Sequence, residues 1–72
     1  MTATFVKLTN AKKSAQLALG QNIHINLHRV QAVWRLQNED MTRIEMNILD
    51  PKTNQALTYY VTEMPADIYK DA

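Results

Sequence analysis

The stretch TRIEMNIL, residues 42–49, decides the fold. Ile44, Met46 and Ile48 take alternate positions, with Arg43, Glu45 and Asn47 interleaved. A repeat of two is the period of an extended strand with one dry and one wet face. A helix would space its apolar residues three and four apart. Residues 56–62 repeat the pattern, Leu57, Tyr59 and Val61 alternating with Thr58, Tyr60 and Thr62. Between the two runs lies Asp50-Pro51-Lys52-Thr53-Asn54. Proline presets its own φ and asparagine tolerates a positive one, so this is turn chemistry. The two strands are expected to form a β-hairpin.

Working outward, Gln37 to Asp40 is a polar turn, and Val30, Ala32, Trp34 and Leu36 alternate before it. They predict a strand with these four residues on the core side. Ile23, Ile25 and Leu27 alternate with His24 and Asn26, which predicts a strand through Asn26 or Leu27. A turn, or one helical turn, at His28-Arg29 would separate the two strands. Ile23, Leu27, Val30 and Trp34 also approach helical spacing. Asn22 and Asn26 disfavour that helix, and Ile25 would fall on its wrong side. Thr4 to Thr9, rich in β-branched and aromatic residues, reads as the first strand. Asn10 could cap a short helix near residues 11–19, with Gly20 ending it in the left-handed conformation. A long loop is the competing reading of the same segment. Pro65 fits a first helical position and would open a short helix to Lys70, with Ile68 packing on the sheet.

The sum is a mainly β (β+α) single domain spanning residues 1–72. It has about five strands in a small antiparallel sheet or partly open barrel, with a short C-terminal helix. One sheet of this length cannot cover both of its own faces. Curling, the helices or another chain must do so. A 72-residue core is thin, and small domains commonly add a disulfide, a metal or a partner subunit. The chain has no cysteine, which excludes disulfides and thiolate zinc sites. Association with a second copy, a homodimer, is the remaining common remedy.

The hydrophobic fraction of 46% is that of a globular domain, not a disordered chain. A net charge of +1 implies no strong unspecific attraction to nucleic acid or anionic membrane. The opening residues have no signal-peptide pattern, and no apolar run approaches the ~18 residues of a membrane span. The expectation is a cytoplasmic protein with no membrane partner.

His24 and His28 are the only histidines. Four residues apart on a helix they could share a metal ion. On a strand the same spacing is about 13 Å, too far for one ion. The reading is two exposed histidines, with no metal and no cofactor. The acids Glu39, Asp40, Glu45, Asp50, Glu63, Asp67 and Asp71 are scattered over turns and outward strand positions. No local spacing pairs two of them for acid–base work. Ser14, the only serine, lacks a nucleophile elbow, and one glycine cannot build a phosphate loop. These features point away from an enzyme and assign no catalytic residue.

Two binding readings remain. In the first, the outward row Arg43, Glu45, Asn47, Thr58, Tyr60 and Thr62 is a surface for protein, and the module self-associates through a sheet face or edge. In the second, Lys7, Arg29, Arg35, Arg43 and Tyr60 contact single-stranded nucleic acid, bases stacking on aromatics while cations meet phosphates. The second is less favoured, because Trp34 and Tyr59 are assigned to core faces, leaving Tyr60 as the outward aromatic.

Phe5-Val6-Lys7-Leu8-Thr9, then Ile25-Asn26-Leu27 with Val30, then Thr42-Arg43-Ile44 and Tyr60-Val61-Thr62-Glu63 resemble, in order, segments of the small bacterial flagellar-operon proteins of the FlbD type. The segment Asn10 to Gln21 is longer than that pattern, and Met64 stands where a serine helix cap would be expected. The resemblance implies a small β-rich accessory protein, with no site residues to carry over.

Overall fold

The computed structural model describes residues 5–70. Its elements are β1 (Phe5–Thr9), β2 (Asn22–Asn26), a 3-10 turn (Leu27–Arg29), β3 (Val30–Leu36), β4 (Met41–Asp50), β5 (Gln55–Val61) and α1 (Pro65–Tyr69). The fold is mainly β, with β1 and β2 pairing as one antiparallel sheet and β3-β4-β5 forming a second.

One seam joins the sheets. Asn10 bridges to Val61, Thr62 N–H donates to Thr9 C=O at 3.0 Å, and Ala11 N–H donates to Tyr60 C=O at 2.8 Å. The barrel is not closed. Between the sheets lies a core of Leu8, Ile23 and Ile25 from the first sheet, Ile44, Met46 and Val61 from the second, and Ile68 from α1. Ile68 anchors a helix that lacks a side-chain cap at Met64, so burial rather than capping holds this single turn in place.

The hairpin follows the period-two reading. Ile44 and Val61 are fully buried, and Leu57 and Tyr59 pack against the same core. Asn54 turns the chain with φ +58°, and Asp50 accepts from the Lys52 and Asn54 amides at 2.9 and 2.8 Å. Ile48 departs from the expectation. It is 42% exposed, because β3 begins opposite Met46 and β4 runs on past it. Pairing with β5 is also irregular between Glu45 and Leu49.

β3 departs more sharply. Its register shifts between Val30 and Ala32, where Gln31 is an extra residue against β4. A bulge of one residue turns the alternation over, so every side chain beyond it changes face. Val30 packs on the core, and past the bulge Val33 does so, opposite Ile44. Ala32, Trp34 and Leu36, expected inside with Val30, lie on the far side of the sheet, and Trp34 is 38% exposed.

Residues 11–19 form a loop, not a helix. The buried Asn10 amide donates to the carbonyls of Lys12 and Ala18 at 2.9 and 2.8 Å, drawing both ends of the loop onto one side chain. A helix would have used the Lys12 carbonyl internally. Gly20 is left-handed as expected, at φ +82°, but it closes a turn into β2. Beyond its two chain neighbours, no heavy atom lies within 4 Å of where a Cβ would stand. Gly20→Ala is therefore expected to cost about 1 kcal/mol in a urea titration, from backbone conformation alone. A loss of several kcal/mol would reveal crowding instead.

Candidate interaction face

The three-stranded sheet packs one face on the core, and among the described residues no strand or helix lies over the other. Cross-strand partners share a face, so register defines its rows. Trp34, Arg43 and Tyr60 form one row across β3, β4 and β5. Ala32, Glu45 and Thr58 form the next. The bulge at Gln31 places Trp34 in the first row, and the unbroken alternation of β4 and β5 places the rest.

Cations lie on both aromatic rings. Arg43 Cζ stands 4.9 Å from the Trp34 ring centroid, and Lys12 Nζ, from the loop, stands 4.7 Å from that of Tyr60. Such contacts contribute about 0.5–1 kcal/mol at exposed sites. Glu45 is held from below by the bulge residue, whose Gln31 Nε2 donates to Glu45 Oε2 at 2.7 Å. The other oxygen, Oε1, is 3.9 Å from Arg43 Nη2, a charge contact too long for a hydrogen bond. Arg43 Nε is shut off from solvent and has no hydrogen-bond partner among the described residues.

Of the residues read as a protein surface, Arg43, Glu45, Thr58 and Tyr60 adjoin one another on this face. Asn47 is exposed in the irregular stretch of β4, and Thr62 is exposed just past β5. The nucleic-acid set is dispersed. Lys7 lies on β1 opposite His24, in the other sheet, and Arg29 lies in the 3-10 turn. Arg35 projects to the opposite side of β3 from Trp34. There its guanidinium donates to Thr42 Oγ1 and the Thr62 carbonyl and pairs with Asp40. The alternation of Val30, Ala32, Trp34 and Leu36 in the sequence assigns Trp34 to the core side, and Val33, apolar in the opposite phase, is the one sign in β3 of the shift that puts Trp34 on this face.

His24 is exposed on β2, and His28 is exposed in the 3-10 turn, where the Asn26 side chain accepts from its amide at 3.0 Å. Among the described residues no group of three or more His, Cys, Asp or Glu is placed to hold a metal ion. An open cleft of about 390 Å³ between β1 and α1 contains Lys7, Glu63 and Asp67. The Glu63 carboxylate is engaged there by the Thr9 amide at 2.9 and 3.1 Å and the Thr9 hydroxyl at 3.0 Å. Among the described residues, no helix is long and apolar enough to cross a membrane.

Comparisons with protein-family models, curated proteins and solved structures return no match.

Proposed function

We propose that this chain is a noncatalytic interaction module of the cytoplasm, which self-associates through the outer face of β3-β4-β5. The observation that carries the reading is the open face itself, with the half-exposed Trp34 at its edge. A tryptophan left 38% exposed on an uncovered sheet is the kind of aromatic anchor that interfaces bury. The resemblance to FlbD-type accessory proteins agrees with a role without catalysis.

A second reading, binding of single-stranded nucleic acid, is favoured by two aromatic rings and two cations on the same face. It ranks lower on physical grounds. Of the basic residues in that reading, Lys7, Arg29 and Arg35 lie away from this face, and Arg43 alone is on it. Analytical ultracentrifugation over a concentration series, paired with fluorescence anisotropy of labelled single-stranded DNA and RNA, separates the two. Self-association with no salt-dependent oligonucleotide binding is expected. A monomer that binds oligonucleotide more weakly as salt rises would replace the first reading by the second.

A further inference from the structure

We propose that the partner on this face is a second copy of the chain, packed face to face about a two-fold axis that runs across the strands between the two rows. The inference rests on the self-association reading and adds its geometry.

The two rows have opposite characters. One is bulky and positive, Trp34, Arg43 and Tyr60; the other is small and negative, Ala32, Glu45 and Thr58. A two-fold axis perpendicular to the strands, level with Ile44, lays each row on the other row of the second copy. Trp34 then meets Ala32 of the second copy, Arg43 meets its Glu45, and Tyr60 meets its Thr58. Bulk faces lack of bulk and charge faces opposite charge, twice over by symmetry. An axis parallel to the strands would instead set Arg43 on Arg43 and Glu45 on Glu45, with like charges opposed. Self-complementarity thus selects one of the two face-to-face arrangements. Both arrangements suit sheet packing, which holds faces about 10 Å apart with strands nearly aligned.

Arg43 is poorly served within one chain, whereas Glu45 keeps its hydrogen bond from Gln31. Arg43 Nε has no acceptor among the described residues, and the Arg43 to Glu45 contact stops at 3.9 Å. Turning the guanidinium off Trp34 toward Glu45 of the second copy gives that N–H a carboxylate. It also bares the indole to receive Ala32. Lys12, exposed over the Tyr60 ring, must likewise swing aside for that ring to meet Thr58 of the second copy. Three strands at ~4.8 Å spacing make a footprint of about 15 by 20 Å on each copy, roughly 600 Å² over the pair, below the size of standard specific interfaces and in the range of weak, transient ones. The dimer is correspondingly weak and appears in the high-micromolar range.

Charge exchange tests the pairing. R43E brings a new carboxylate against Glu45 of the second copy, and E45R brings a new guanidinium against its Arg43. Each variant alone is expected to weaken dimerisation at least tenfold in sedimentation equilibrium. An equimolar mixture of the two is expected to form a heterodimer, since both crossed contacts become attractive, and the double variant R43E/E45R is expected to dimerise again. Trp34, the only tryptophan, reports the same event through a blue shift of its emission with concentration. Should R43E fail to fold, Ala32→Gln replaces it, pressing a larger neutral side chain against Trp34, again with loss of the dimer. Wild-type protein that dimerises while R43E or Ala32→Gln dimerises equally well would overturn this arrangement and leave self-association standing. So would single variants whose mixture stays monomeric. Wild-type protein that stays monomeric throughout would overturn both.

Discussion

Replacing Ile44 with alanine is expected to cost about 2–5 kcal/mol of unfolding free energy, the range for emptying a buried branched side chain. Ile44 is fully buried at the centre of β4, between Val33 on one side and Tyr59 on the other. Both flanking strands and the β1-β2 sheet close around it, so the cavity has little freedom to collapse. A chain of 72 residues has roughly 4–11 kcal/mol in total, and the loss is thus a large share of it. Arg43→Ala, one residue away on the opposite face, is expected to cost under about 1 kcal/mol. It gives up one cation–π contact and a long charge contact. Urea titrations of dilute monomer measure both. Equal losses at the two positions would mean that the faces of β4 have been assigned backwards.

That contrast between neighbours is legible in the sequence, because a strand flanked on both sides keeps its period. The hairpin turn at Asn54, the 3-10 turn after Asn26, and the terminal helix at Pro65 are legible for similar reasons. Each rests on a local preference that packing reinforces. The faces of β3 are not legible, although its bounds are. Val30, Ala32, Trp34 and Leu36 alternate, with the apolar Val33 in the other phase, and one extra residue at Gln31 shifts the phase between the first and the rest. A bulge shifts the phase of the inward positions, and its trace here is the single residue Val33, outnumbered by Ala32, Trp34 and Leu36 in the other phase. The error falls on the candidate face, since it places Trp34 inside. Arg43, Glu45, Thr58 and Tyr60 are placed correctly because β4 and β5 keep their register from Glu45 to Thr42. Residues 11–19 are ambiguous for another reason. Their composition suits a helix, and the decision lies with two carbonyls held by Asn10 and an amide committed to Tyr60 in β5.

Glu63→Ala is expected to open the seam between the sheets, at a cost of about 2–3 kcal/mol. The residue follows β5, and its carboxylate reaches back to β1, accepting from both the amide and the hydroxyl of Thr9. Removing it leaves a part-buried amide with no acceptor, and hydrogen bonds to a charged group contribute about 1.5–3 kcal/mol. Thr9 also accepts from the Thr62 amide, and Asn10 bridges to Val61 next to it, so the seam is one short run of bonds with Glu63 at its end. Loosening that end frays the run. Amide hydrogen exchange at Thr9, Ala11 and Thr62 should accelerate well ahead of Ile44, whose bonds lie within the three-stranded sheet. Glu63→Gln tells hydrogen bonding from charge. Its carbonyl oxygen can accept from the Thr9 amide and its amide nitrogen can donate to the hydroxyl, so a loss of about 1 kcal/mol or less is expected. Thr9 protection unchanged in the alanine variant would show that β1 is held by the Leu8, Ile23 and Ile25 contacts alone. The side chain of Glu63 would then be a bystander to the joining of the two sheets.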